Sequence, residues 1–384
     1  MQIHHSLSLL FLSLSAGFAN VAWAYPEYRV TVMAPANSYA ADINSAGAVV
    51  GNFAYSSTVT HAFLNRGRGF VDLGKLRGSA SNAVAINDKG QVLGHWTASG
   101  GQQRGYIYYR GNLRDIGVVN GMRTSYTDIN NSGYVTAIGE VGDAYEAHSF
   151  LRAPDGSFRN IGSLPFEDPI TFAYALNNCN QITGASGPLT YPDQPLRAFL
   201  WTNGVMKDLG DLGTSPNSGA AISNCGQVTG HASKESGFRD RHAFLYSNGR
   251  MVDLEASPET EYLSSWGMGI NSRGHIVGYS NALSGFIYRG KRMESLTSLI
   301  DPASGWKVSG AKAINDAGQI AATAERRGVQ YAVRLDLIRP LAEPAPAMHM
   351  EGDAVLLPVE AMSDAQIRAD GAAQAREVMQ PVAQ

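Results

Sequence analysis

Charge is sparse in this 384-residue chain, with only 16% charged side chains, and cysteine is nearly absent, with two in all. The 30 Lys and Arg and 33 Asp and Glu leave a net charge of −3, and they are scattered, with no basic run and no basic stripe interleaved with aromatics. That pattern argues against nucleic acid as a partner. The catalytic signatures that carry their chemistry in spacing are also missing. There is no His-Glu-x-x-His, no Gly-x-Ser-x-Gly, no phosphate-cradling Gly loop and no Cys pair at metal-ligand spacing. No cofactor is therefore expected. Long apolar runs are confined to the N-terminus, so no membrane span is expected beyond it.

The N-terminus reads Met1-Gln-Ile-His-His, then an apolar, Ser-rich run from Leu7 to Phe18, then Ala22-Trp23-Ala24. This small-x-small ending is the form that signal peptidase cuts, so residues 1–24 are predicted to be a secretory signal and the mature chain to start at Tyr25. The product would be periplasmic or released to the medium.

What the chain does have is a repeat. An Ile or Leu, usually followed by Asn, two spacers and Gly, returns at Ile43, Ile86, Ile129, Leu176, Ile222, Ile270 and Ile314, a period of 43 to 48 residues. That is the period of four-stranded propeller blades. Residues 81–117 read as four short strands: Ser-Asn-Ala-Val-Ala-Ile, a turn at Asn87-Asp88-Lys89-Gly90, Gln-Val-Leu-Gly-His-Trp, a polar loop, Gly-Tyr-Ile-Tyr-Tyr, a Gly turn, and Leu-Arg-Asp-Ile-Gly. The fourth place of the first turn needs positive φ, and Gly47, Gly90, Gly133, Gly226, Gly274 and Gly318 fill it, with Asn180 as the one substitute. Small residues such as Ala83, Ala85, Gly267 and Gly269 line the first strand, as suits the crowded axis. One aromatic per third strand (Phe63, Tyr106, Phe150, Phe199, Phe244, Phe286) predicts packing between sheets, with Val333 leaving the seventh looser.

The seventh repeat stops after Tyr331-Ala-Val-Arg-Leu without a fourth strand, and Tyr28-Arg-Val-Thr-Val-Met33 stands unpaired before the first. Pairing the two would close the ring and remove edges. The fold predicted is all-β, a seven-bladed propeller over residues 25–338 closed by its N-terminal strand. An open β-solenoid, the alternative, would leave that strand unexplained. Residues 339–384, with Pro340, Pro344, Pro346 and Pro358, form a Pro- and Ala-rich tail, disordered or a short helix.

His61-Ala-Phe-Leu, His148-Ser-Phe-Leu and His242-Ala-Phe-Leu, with Asp72-Leu-Gly, Asn160-Ile-Gly and Asp253-Leu, resemble the HAF-repeat family of extracellular repeat proteins. Arg197-Ala-Phe-Leu-Trp and Asp208-Leu-Gly extend the resemblance over about residues 28–338; Ser284-Gly-Phe and Tyr331-Ala-Val depart from it. The resemblance implies an exported bacterial protein and brings no substrate or catalytic residue with it.

The recurrent His or Arg has a Asp eleven residues on in four blades: His61 and Asp72, Arg104 and Asp115, Arg197 and Asp208, His242 and Asp253. Because they recur and vary together, they read as cross-strand clasps rather than ligands. Asn87-Asp88 and Asn315-Asp316 have too few oxygens at the wrong spacing for calcium, and read as turns. No metal site is expected. His95 and His231 share a register after the second-strand Gly and read as polar strand positions.

Function is expected where the repeat lapses, in loops opening on one face. Blades three to five carry an aromatic and acidic rim there: Tyr145, Phe166, Tyr191 and Phe238 with Glu140, Asp143, Glu167 and Asp168. The reading is a monomeric, non-catalytic recognition module for a saccharide or protein ligand on that rim. The alternatives are an extracellular glycan hydrolase or lyase using those carboxylates, and a structural envelope or matrix component without a ligand cleft. Cys179 and Cys225 occupy one register in adjacent blades, and in an exported chain a bridge between them is expected, against two free thiols.

Overall fold

The computed structural model describes residues 26–338 apart from 75–79, 142–145, 190–194, 235–240 and 256–263; the proposed signal and tail lie outside the described residues. Seven antiparallel sheets of four strands each make seven blades. In blade two the strands are Ser81–Ile86, Val92–Thr97, Gln103–Tyr109 and Asn112–Gly117, each paired with the next. The other inner strands are Ser38–Ile43, Arg123–Ile129, Pro169–Leu176, Asn217–Ile222, Ser265–Ile270 and Lys307–Ile314.

Blade seven closes as the sequence predicts. Its three consecutive strands end with Val329–Leu337, and the outer strand is Tyr28–Val32, in register from Tyr28 opposite Leu337 to Val32 opposite Val333. Tyr28 is 1% exposed and packs with Val333, Leu335, Leu296 and Ile300. Blade seven is therefore not loose: the N-terminal strand and the 3-10 helix Leu296–Leu299 supply the bulk that Val333 lacks.

The predicted turns form. Gly47, Gly90 and their equivalents have φ between +73° and +83°, and Asn180 has +58°. One further device recurs that the repeat does not announce. Each inner strand slips its register by one residue just before the anchor, for example between Ala83 and Ala85 or between Ala311 and Ala313. The bulge carries an inner-strand carbonyl over the second strand. A Cβ on Gly94, Gly184 or Gly278 would meet that oxygen at 2.1, 1.9 or 1.9 Å. At these positions only glycine fits, whereas blades three and seven carry Ala137 and Ala322 at the same place in the ladder.

Candidate functional site

The four clasps are present, with contacts of 2.9 Å for His61 and Asp72, 2.9 Å for Arg104 and Asp115, 3.1 Å for Arg197 and Asp208, and 2.8 Å for His242 and Asp253. They are diagonal rather than directly opposed: Asp72 stands across from Phe63, and Asp208 from Phe199. Each Asp also accepts the backbone N–H two residues on, as Asp72 does from Gly74 and Asp208 from Gly210. The carboxylate is first a turn-former, which explains why Asn160 serves in blade three, accepting from Gly162, while His148 turns to Glu146. His95 is likewise structural. Its Nε2 accepts the Tyr126 N–H of the next blade at 2.8 Å, and burial pushes its pKa down to about 4. His231 is also pushed to about 4, by burial and by the charge of Arg241.

Of the rim predicted on blades three to five, only four residues fall among the described ones. Tyr145, Asp143, Tyr191 and Phe238 lie outside them. Phe166 is half-buried against the core of blades three and four, near Leu164 and Ile161. Glu140 faces Arg123 at 3.5 Å, and Glu167 and Asp168 are exposed. Cys179 and Cys225 are both free, exposed thiols, so the expected bridge is absent; the Cys179 sulfur faces the Asn224 carbonyl at 3.9 Å rather than its counterpart.

The concave site is the central channel. At the mouth formed by the first turns, a cavity of about 180 Å³ is ringed by the anchors and the residues after them. Here the recurrent Asn acts as a hub. Asn44 Nδ2 donates to the Asn87 carbonyl, Asn87 to Asn130, Asn130 to Asn177 and Asn177 to Ser223, at 2.9 to 3.1 Å. Asn271 donates to Asn315, and Asn315 back to Asn44. Above this ring stand two acids that sequence reasoning missed. Asp42 accepts the N–H groups of Ile43 and Ile86, and Asp128 those of Ile129 and Leu176, at 2.7 to 2.8 Å. Burial, then the charge of Asp128, pushes Asp42 up to about 7; burial pushes Asp128 up to about 6. An acid directly before the anchor, where the other blades have Ala or Gly, was the readable signal.

Toward the opposite mouth, on the loop face, a cavity of about 300 Å³ is lined by Tyr39 of blade one, Trp266, Met268 and Tyr279 of blade six, and Lys312 and Thr323 of blade seven. Trp266 and Tyr279 are stacked cross-strand neighbours, with ring centroids 5.7 Å apart. Tyr39 and Tyr279 are 48% and 40% exposed. On the inner strand of blade four, Phe172 and the exposed Tyr174 stack in parallel. These aromatics sit on strands, not loops, which is why a search confined to loops passes over them. Among the described residues no group of three or more His, Cys, Asp or Glu could hold a metal ion.

No family model matches the sequence, and no curated protein sequence matches it. Among solved structures, the β-propeller domain of the Trilobed protease from Pyrococcus furiosus, described as having an open velcro topology, aligns over 80% of this chain and 99% of its own at 9% identity, TM-score 0.50. Pyrococcus horikoshii acylaminoacyl peptidase aligns over 77% of this chain and 50% of its own at 11% identity, TM-score 0.49. YCF48 bound to D1 peptide aligns over 81% and 97% at 7% identity, TM-score 0.48. At such identities the likeness concerns fold alone. The class of protein is defined: a seven-bladed β-propeller with four-stranded blades, here closed by its N-terminal strand.

Proposed function

We propose that this chain is an exported, non-catalytic recognition propeller that holds a saccharide at the loop-face mouth of its channel. The observation that carries the reading is the aromatic wall of Trp266, Tyr279 and Tyr39 around a cavity of about 300 Å³. Flat aromatic faces suit the apolar faces of sugar rings, and exposed clustered aromatics mark binding surfaces. A ligand-sized cavity also weighs against a purely structural envelope component. Export and kinship with the HAF-repeat family belong to the same proposal, resting on the N-terminal pattern and the recurrent His-Ala-Phe-Leu.

A glycan and peptide array probed with the wild type and Trp266→Ala tests it. Saccharide binding lost in the variant supports the reading, and peptide binding indifferent to Trp266 overturns it. One observation bears on the enzymatic rival, in altered form: Asp42 and Asp128 are buried carboxylates near the channel whose pKa values burial raises to about 7 and about 6. Turnover of an array glycan that Asp42→Asn abolishes would establish that rival.

A further inference from the structure

The inner-strand bulge places one residue per blade at a common level of the channel wall. In six blades it is uncharged: Ala41, Val84, Thr127, Tyr174, Ala220 and Met268. Blade seven alone has a charge there, Lys312, and Lys312 lines the aromatic cavity. No carboxylate lies within 4 Å of its ammonium among the described residues. The nearest influence is Asp42, whose two oxygens are already engaged by the N–H groups of Ile43 and Ile86. Asp128, at the same place in blade three, is engaged in the same way by Ile129 and Leu176. Lys312 is exposed on the channel wall, and the protein around it lowers its pKa by desolvation, against the charge of Asp42.

An exposed ammonium on a channel wall can take a ligand's anion at a smaller desolvation cost than a buried one. A lysine left without an acid partner, in a cavity walled by Trp266, Tyr279 and Tyr39, is complementary to a ring-bearing ligand that brings its own anion. Building on the saccharide reading above, we infer that the channel site selects acidic sugars. The carboxylate of a uronic acid sits on Lys312 and its ring lies against Trp266. A cavity of about 300 Å³ is at the small end of ligand pockets, which suits one or two sugar rings.

The test is calorimetric titration of the full mature chain with D-glucuronate, its neutral methyl ester and glucose, and with oligosaccharides of each kind. The acid is expected to bind about tenfold more tightly than the ester, a difference that shrinks as salt is raised. Lys312→Met is expected to bring the acid down to the level of the ester, and Lys312→Arg to keep the preference. Trp266→Ala is expected to weaken acid and ester together. Unchanged thermal midpoints for the Lys312 variants show that the effect is local. Equal binding of acid and ester by the wild type, or an acid preference untouched by Lys312→Met, overturns the inference and leaves the saccharide reading standing. Binding of neither sugar, neutral or acidic, overturns both.

Discussion

At the scale of single residues, the histidines separate scaffold from site. His95 must be neutral to accept the Tyr126 N–H, and its pKa falls from an ordinary 6.5 to about 4. The unfolded chain therefore binds a proton that the folded chain refuses between those values. Stability contributed by this group is whole above pH 6.5 and declines as pH falls to about 4, by on the order of 3 kcal/mol at the limit. In blade one, Asn52 fills the same register with a group that does not titrate, its Oδ1 accepting from Ala83 at 2.8 Å. Replacing His95 with Asn should thus keep the bond and remove the dependence. Asp42 and Asp128 slope the other way, since raised carboxylate pKa values lower stability as pH rises from about 4 towards 7. The informative quantity is therefore the difference between wild type and His95→Asn. Urea unfolding at pH 7.5 and 4.5 should show the wild type losing about 2 kcal/mol more than the variant, and parallel losses would refute the assignment. The bland role of His95 was readable from its place beside a strand glycine. Asp42 left a signal only as an acid where most blades have Ala or Gly, and Lys312 left none, because its meaning comes from a bulge that turns strand positions onto the channel and no periodicity in the sequence marks it.

At the scale of elements, the strands and turns were legible because each blade repeats the same local requirements seven times. A lone repeat would have been ambiguous. The closing strand was legible for the complementary reason that each chain end lacked what the other had. Removing residues 25–34 should expose the edge of Val329–Leu337 and the cluster around Val333, Leu335 and Ile300. A milder probe is Tyr28→Ala, which leaves the pairing but empties a fully buried site, at about 3 to 5 kcal/mol. Thermal melts with light scattering check both, and a truncated chain that melts like the parent would sink the closure argument. The clasps had the right partners but a different first duty, visible only from the diagonal register. Asp208 accepts from Gly210 and pairs with Arg197, which also holds Asp211 at 2.9 Å. Asp208→Asn should therefore cost under about 0.5 kcal/mol, since the turn bond survives and the pair is partly exposed. Asp208→Ala, which removes both, should cost about 1 kcal/mol more. Chemical denaturation of the pair of variants decides; equal costs would mean that the ion pair, not the turn, is the larger part.

At the scale of the whole molecule, the ring is held at its hub by side chains as well as at its rim by the closing strand. Six asparagines 3 to 6% exposed pass a hydrogen bond from blade to blade, and the bond from Asn315 to the Asn44 carbonyl joins the last blade to the first. Each also accepts backbone N–H groups of its own turn, as Asn130 does from Ser132 and Tyr134. The circuit is open at one point. Blade five has Ser223, whose hydroxyl accepts from Gln227 at 3.1 Å as the asparagines do, but whose short side chain makes no bond to the Asn271 carbonyl of blade six. The turn around Ser223 already has the geometry of its neighbours, with Gly226 at φ +76° and the same Gly226 to Ser223 backbone bond. Ser223→Asn should therefore install the missing link without rearrangement and stabilise the fold by about 0.5 to 1.5 kcal/mol. The opposite change, Asn130→Ala, leaves two turn amides without partners in a buried ring and takes from the Asn177 carbonyl one of its two donors, and should cost about 2 kcal/mol or more. Both are read as shifts in denaturation midpoint at unchanged slope, so that a change in cooperativity is not mistaken for one in stability. If the hub is only a by-product of turn geometry, Ser223→Asn will be neutral or destabilising and Asn130→Ala will cost no more than an exposed turn residue.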